Sequence, residues 1–177
     1  MSSGRTRWVS AFDFEVSADE IMIDIDISLL LPKAVNRALF EEKVSRWEAA
    51  IESVWNDRFY ASVDQVELPV KFAIRFTHFK PHHRVIVHPG DWVPNQHNWY
   101  IDTPGFVVAH EIGHMLGAYD EYNGGALSPE KPMIDSTSIM GGKPSQGRAY
   151  ARHLALFESK LIDRFGDSRI KIAEYQR

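Results

Sequence analysis

The sequence predicts an α/β fold, because segments with the two-residue period of a β-strand alternate along the chain with segments that have the period of a helix. The clearest strand is 20–31, in which isoleucine or leucine occupies every second position from residue 21 onward. A helical stripe of apolar residues follows within 33–59, and strict alternation returns at 70–76. We therefore expect a sheet packed against helices.

The first strands are predicted at 8–16 and 20–31, joined by a turn at 17–19. In the second strand the isoleucines form a core face, and Asp24 and Asp26 point to the other face. Two carboxylates on one face of a strand are more typical of a solvated surface than of a calcium site, so we interpret them as surface residues.

A long helix is predicted at 33–59, since its apolar residues follow the i, i+4, i+7 spacing of a buried stripe. The strand at 70–76 and a short apolar strand at 85–87 come next. The stretch that follows, 89–96, is rich in turn-forming residues and leads through 99–101 into another helix. The stripe of the long helix consists of Phe40, Val44, Trp47, Ile51 and Val54.

The most informative stretch is His110-Glu111-Ile112-Gly113-His114. On an α-helix, residues four apart differ by about 40° around the axis, so both imidazoles can face one metal ion. Glu111 lies beside them, where a carboxylate can act as a general base. This spacing indicates a catalytic zinc site.

The helix that carries this motif is predicted to span about 104–116. Pro104 suits its first turn, and Thr103 or Asp102 can cap its free amides. Apolar residues occupy the side away from the two histidines, as expected for a helix that packs on a core there. These residues are Val108, Ile112, Met115 and Leu116.

A third ligand is needed, because catalytic zinc sites usually have three protein ligands and one open position. Gly117 is suited to end the helix, since glycine adopts the left-handed conformation without a steric clash. Asp120, three residues later, is the first side chain that can bring a carboxylate oxygen back to the ion. The sequence therefore predicts one zinc ion held by His110, His114 and Asp120.

The extended motif, from His110 to Asp120, resembles the signature of the metzincin zinc metallopeptidases, and its aspartate ligand is similar to that of the small snapalysin-type members. Metzincins also have a methionine turn downstream, and residues 138–142 (Ser-Ile-Met-Gly-Gly) resemble it. The resemblance implies that Met140 forms an apolar floor beneath the ion without ligating it. It also implies a metzincin-like sandwich: a twisted mixed sheet with a long backing helix, a zinc-site helix, a loop-rich lower part and a C-terminal helix.

Several metzincins carry a tyrosine two residues after the methionine, where it assists at the oxyanion, but this chain has Gly142 there. Tyr122, Tyr150 and His153 are the candidates for that role. The tyrosines can equally be core residues with a satisfied hydroxyl. Glu121 and His153 are in addition alternative third ligands.

The 177 residues, 44% of them hydrophobic, suffice for one compact domain and are too few for two comfortable ones. We expect a single zinc metallopeptidase domain over 1–177, with an upper sheet-and-helix part at about 5–117 and a lower part at about 118–177. Residues 123–147 should form the loop-built lower wall of the cleft. Beyond them a C-terminal helix is predicted from residue 150, ending near Gly166.

The chain has 20 basic and 24 acidic residues and a formal charge of −4, which favours neither nucleic acid nor an anionic membrane as a partner. It has no cysteine, so disulfides and thiolate zinc ligands are excluded. The N-terminal segment lacks the apolar core of a signal peptide, and no apolar run is long enough to span a membrane. We therefore expect a soluble protein that is cytoplasmic or delivered by a non-classical secretion route.

The predicted site indicates a zinc-dependent endopeptidase. Zinc would activate a water molecule, and Glu111 would accept its proton and deliver it to the leaving amine. The partner is then a peptide or protein substrate, which could pair in extended form with an exposed edge strand within 84–101.

The alternative function is a catalytically silent binding or structural module in which zinc only staples the lower loops, and this would need a fourth protein ligand. A toxin-like protease effector is a further hypothesis, because a zinc protease without a leader would threaten its own cytosol. Five other histidines match no zinc spacing and are interpreted as solvated or bonded to backbone. They are His78, His82, His83, His88 and His97.

Overall fold

The computed structural model describes residues 9–31, 36–63 and 66–176. Within these ranges the chain forms α1 (Arg37–Trp55), α2 (Gly105–Leu116) and α3 (Ala155–Phe165), with short 3-10 turns at Pro144–Gln146 and Ala151–Leu154. The strands are β1 (Asp13–Val16), β2 (Ile21–Leu30), β3 (Phe59–Val63), β4 (Val66–Phe76), β5 (His83–His88), β6 (Asn98–Tyr100) and β7 (Lys171–Glu174).

All seven strands belong to one mixed sheet, with the order β6-β5-β2-β4-β3-β7 and β1 attached to β2. Strands β4 and β5 run parallel to β2, and β6 runs parallel to β5. Strands β1, β3 and β7 are antiparallel to their neighbours. One edge of β2 pairs with β1 along its first half and with β5 along its second half. Strand β2 therefore forms the centre of the sheet.

The alternation predicted for β2 is confirmed, since its four isoleucines are fully buried on one face. On the other face Asp24 and Asp26 both pair with Arg75 of β4. The two carboxylates are therefore not simply solvated, because both form an ion pair with one cross-strand arginine.

Helix α1 packs against α2 and fixes its position. The indole of Trp47 donates a hydrogen bond to the Thr103 carbonyl at 2.9 Å, and that of Trp55 donates to the Ala109 carbonyl at 3.0 Å. The backbones also approach closely at Gly105, where an added Cβ would collide with Ala50. The helix that carries the histidine motif is thus held against the core by a second helix.

The predicted long helix is too long at its C-terminal end, because α1 stops at Trp55 and the chain then forms β3. Asn56 caps the helix in an extended conformation, and Asp57 has a positive φ of 57°. After this change of chain direction, residues 59–63 form a strand whose side chains alternate between the two faces. The predicted start of the helix, 33–35, lies outside the described residues.

Other predicted boundaries also change. The predicted strand at 8–16 is confined to β1 within the described residues, and β4 starts four residues before position 70. Strands β6 and β7 were not predicted, since three or four residues are too few to establish a period. The predicted helix from residue 150 begins as a 3-10 turn and becomes α-helical only in α3, which ends at Gly166 as expected.

The prediction that Thr103 or Asp102 caps α2 is wrong. Pro104 occupies the N-cap position, and no side chain caps the helix. The Thr103 hydroxyl instead accepts a hydrogen bond from the Tyr100 amide at 3.0 Å, which closes the turn after β6.

The α/β class and the mixed sheet are confirmed in this coarse sense. One hydrophobic core joins the sheet to all three helices. Among the described residues, no helix combines the length and the hydropathy needed to cross a membrane.

Candidate metal centre

Helix α2 presents His110 and His114 side by side, with ring centroids 4.9 Å apart. Each ring has Nδ1 within hydrogen-bond distance of a backbone carbonyl, at 2.8 Å from Ile139 for His110 and at 2.9 Å from Ala118 for His114. A carbonyl can only accept, so both Nδ1 atoms carry hydrogen when these bonds form. In the neutral rings both Nε2 atoms then carry the lone pair with which imidazole binds a metal.

The turn at Gly117 brings the chain back to these rings. Gly117 has a φ of 101°, and the Ala118 amide donates to the Gly113 carbonyl at 2.9 Å, as in a glycine-terminated helix. The same turn presents the Ala118 carbonyl to His114. The predicted helix end is confirmed, and it both orients one histidine and redirects the chain toward Asp120.

Asp120 completes a buried group of three. Its Oδ1 lies 3.3 Å from Nε2 of His110 and 3.4 Å from Nε2 of His114. One ligand atom from each residue lies within 4.8 Å of the other two, so the group can hold a metal ion. It is the only such group of His, Asp or Glu side chains in the ranges that the structure describes.

The two oxygens of Asp120 have different environments. Oδ2 accepts a hydrogen bond from the Ala126 amide at 2.7 Å, whereas the buried Oδ1 has no hydrogen-bond partner among the described residues. An unpaired buried carboxylate oxygen is costly, and a cation shared with two imidazoles would satisfy it. The donor set of two nitrogens and one oxygen fits zinc, among other transition metals.

The charges around the group favour an ionised Asp120. Burial alone would raise the pKa of its carboxyl, but the imidazoles of His110 and His114 and the Ala126 amide outweigh burial and hold the pKa below its ordinary value. Without a metal, the nearby carboxylates more than offset the burial of His110 and raise its pKa. The group therefore attracts positive charge.

Met140 lies beneath α2 and is fully buried. Its sulfur packs so closely on Gly113, between the two histidines, that a Cβ there would collide with it. The preceding carbonyl, from Ile139, is the one that His110 contacts. Residues 138–140 thus support the histidines from below, and none of them belongs to the metal-binding group.

Glu111 is buried and lines an open cleft of about 330 Å³, as do the three candidate ligands. Burial raises the pKa of its carboxyl, and the imidazoles of His110, His114 and His97 oppose this shift. Glu111 does not belong to the metal-binding group, so a carboxylate that is not a ligand stands next to the site.

Of the candidate oxyanion donors, Tyr122 lines this cleft and packs near the His110 ring, with centroids 6.5 Å apart. Burial, followed by the negative charges of Asp120 and Glu111, raises the pKa of its phenol, so the hydroxyl keeps its proton. Tyr150 is not among the residues that line the cleft, and its hydroxyl is hydrogen-bonded to Thr137 at 2.6 Å.

The structure places the two alternative ligands in a separate buried network. Glu121 forms a two-pronged ion pair with Arg152, with both contacts at 2.8 Å. His153 lies 3.4 Å from the same carboxylate and 3.1 Å from the Ser138 hydroxyl. Neither residue joins the group formed by Asp120 and the two α2 histidines.

The cleft has another wall that motif analysis did not identify, formed by residues 94–97. These residues belong to the turn-rich stretch that precedes α2. Their only sequence signal is a histidine, His97, shortly before the zinc motif, and its spacing matches no ligand pattern.

Strand β6 is the edge of the sheet next to this wall. Its outward backbone groups are already bonded, because Asn98 exchanges hydrogen bonds with Asn95 and Tyr100 bonds with Thr103. A substrate cannot pair with β6 in this conformation. Residues 91–93 lie within the predicted range 84–101, directly before the cleft wall. Their amides and carbonyls make no backbone hydrogen bond to described residues.

The chain matches no protein-family model, and comparisons with curated proteins and with solved structures likewise find no match. The metzincin resemblance therefore rests on the motif at 110–120 and the turn at 138–142. The metal-binding group itself is a property of the fold, since it joins residues from α2 and from the loop after it.

Proposed function

We propose that this chain is a zinc-dependent endopeptidase of metzincin type. The observation that carries the proposal is the buried Oδ1 of Asp120, which has no hydrogen-bond partner among the described residues and faces two imidazole nitrogens in a cleft that Glu111 also lines. His110, His114 and Asp120 would hold the ion. Zinc bound by three protein ligands supplies a Lewis acid and activates water for attack on a carbonyl.

Glu111 acts as the general base. Its carboxylate accepts a proton from the attacking water and delivers that proton to the nitrogen of the leaving amine, so no net proton is gained or lost by the side chain. Burial places its pKa above the ordinary carboxyl range, which makes it a better proton acceptor than a solvated carboxylate. Because it is not a ligand, both oxygens are available for this transfer.

Tyr122 is the hydroxyl donor for the oxyanion. It lies on the cleft wall that follows Asp120, and its phenol stays protonated because burial and two carboxylates raise its pKa. A neutral O–H aimed at the scissile carbonyl stabilises the charge that develops on that oxygen. It would replace the tyrosine that several metzincins carry after the methionine.

A polypeptide in extended form is the substrate that suits an open cleft between two walls. The exposed segment 91–93 leads directly into the wall at 94–97, and its amides and carbonyls make no backbone hydrogen bond within the part of the chain that the structure describes. Main-chain pairing with this segment, rather than with β6, would set the register of the substrate.

The contrasting function is a catalytically silent binding or structural module in which zinc only links loops to one another. Such a site is normally closed by four protein ligands. The described residues bring three together, and Glu121 and His153 are engaged elsewhere. This distribution favours catalysis.

The test is cleavage of a mixed peptide library by the zinc-loaded chain, with products identified by mass spectrometry. We expect the parent to cleave and Glu111→Gln to lose activity by about 10³-fold with its zinc retained. Glu130→Gln, at an exposed position outside the cleft, is the matched control and should cleave like the parent. A parent chain with a full complement of zinc and no cleavage would instead support the stapled module.

A further inference from the structure

His97 differs from the four other histidines that precede the motif. The rings of those four all have partners: the Ser28 hydroxyl for His78, the Asp26 amide for His82, the Ala11 carbonyl for His83 and the Asn98 side chain for His88. The ring of His97 makes no hydrogen bond to any residue that the structure describes, and His97 alone of the five lines the cleft.

The backbone of His97 is fixed although its ring is not. Its amide donates to Oδ1 of Asn95 at 3.0 Å, and its carbonyl accepts from the Ile86 amide at 2.9 Å. The ring thus has no hydrogen-bond partner among the described residues, while its backbone is held at the wall of the cleft that Glu111 also lines. A donor whose backbone is held at the wall of a cleft can stabilise negative charge that develops in that cleft.

The N-terminal segment at 9–10 holds the cleft wall at 94–97 in place. The buried Gln96 side chain accepts from the Val9 amide at 2.9 Å and donates to the Val9 carbonyl at 2.5 Å. The next residue, Ser10, donates to the carbonyl of His114 at 3.2 Å. The segment at 9–10 thus links the wall that carries His97 to the end of the helix that carries the ligands.

We propose that His97 contacts the bound polypeptide beside its scissile bond and donates a ring N–H to the substrate oxygen on which negative charge develops. Gln96 is the positioning residue for this contact, because its pairing with Val9 fixes the wall. The inference rests on the proposed peptidase function. It adds to Tyr122 a second donor, from a different wall of the cleft.

The experiment measures kcat and KM of the zinc-loaded full chain on one peptide selected from the library. We expect His97→Leu to lower kcat by about 10²-fold with little change in KM, as for the loss of one oxyanion donor. His97→Gln keeps an N–H donor and should recover part of the loss. His78→Gln, outside the cleft, should cleave like the parent.

The positioning role is tested by a double-mutant cycle. Gln96→Leu should lower kcat in the parent but have little further effect in His97→Leu, because it acts through His97. A phosphinic peptide, whose tetrahedral oxygens mimic the charged intermediate, should bind His97→Leu more weakly by a factor similar to the loss in kcat/KM. Additive losses in the cycle would contradict the positioning role.

A value of kcat for His97→Leu within twofold of the parent, in a chain that Glu111→Gln inactivates, would overturn this inference and leave the peptidase proposal standing. A parent chain that cleaves nothing would overturn both.

Discussion

The carbonyl oxygen of Ile139 lies 2.8 Å from Nδ1 of His110, so the backbone of the turn at 138–142 fixes the orientation of a candidate metal ligand. The next carbonyl, from Met140, accepts a hydrogen bond from the Glu121 amide at 2.8 Å, directly after Asp120. Two ligands that lie ten positions apart in the sequence are thus held by adjacent peptide groups of one buried turn. Such outer contacts determine how precisely ligands meet an ion.

Tyr122→Phe tests the assignment of the oxyanion donor. It removes one hydroxyl from the cleft, so we expect kcat to fall by about 10²-fold with zinc content unchanged. Tyr150→Phe is the matched control, because its hydroxyl bonds to Thr137 outside the cleft, and it should retain parental kcat. Equal effects of the two substitutions on kcat would argue against a catalytic hydroxyl at residue 122.

Gly125→Ala should weaken metal binding, since the added Cβ would lie 2.6 Å from the Cβ of Asp120 and 2.8 Å from the ring of Tyr122. We expect the dissociation constant for zinc, measured with a competing chelator, to rise at least about tenfold, as for loss of a contact that orients a ligand. Gly124→Ala strains the same loop through its φ of 89° but has nothing within 4 Å of its Cβ. If the two variants have the same dissociation constant for zinc, displacement of Asp120 does not explain any weakening of zinc binding in Gly125→Ala.

The pair of Glu121 and Arg152 should stabilise the fold rather than bind metal. Glu121→Gln weakens a two-pronged ion pair in which the carboxylate is buried, and we expect the free energy of unfolding of the metal-free chain to fall by about 2 kcal/mol. Glu41→Gln, which alters an exposed pair on α1, should cause a much smaller loss. Urea denaturation measures both, and zinc content should remain near one ion per chain in Glu121→Gln.

His153 should make the metal-free fold less stable in mild acid. Burial lowers its pKa below the ordinary value of 6.5, and the nearby Glu121 carboxylate only partly opposes this shift. Between the lowered pKa and about 6.5 the unfolded chain binds more protons than the folded one, so stability falls as pH decreases through that window. One such group contributes a slope of at most about 1.4 kcal/mol per pH unit.

His153→Gln should therefore reduce the dependence of the unfolding free energy on pH below about 6.5. His78→Gln is the control, because His78 lies outside this buried network. A pH dependence unchanged by His153→Gln would show that other groups cause the acid sensitivity.

The sequence predicted those parts of the fold that local pattern determines. The isoleucine alternation of β2 and the spacing of His110 and His114 are set by strand and helix periods, and the turn at Gly117 follows from the conformational freedom of glycine. Asp120 could be assigned because few residues separate it from that turn. The structure brings these three side chains together as the sequence indicated.

The missed features depend on contacts between distant segments. Strands β3 and β7 pair with each other across more than 100 positions, and neither is long enough to show a clear period. Glu121 was considered a rival ligand because Arg152, its partner, lies 31 positions away. The sequence does not distinguish His97 from the other four histidines, since only the fold shows which ring has no hydrogen-bond partner among the described residues.

Zinc content by mass spectrometry tests the proposed ligand set, in which His110, His114 and Asp120 bind one zinc ion and Glu111 does not. After dialysis against zinc-free buffer, we predict about one ion per chain in the parent and in Glu111→Gln, and loss of the ion in Asp120→Ala. Asp135→Ala, which removes a carboxylate from the neighbouring Arg152 network, is the control and should keep the ion. Zinc retained in full by Asp120→Ala would contradict the ligand set.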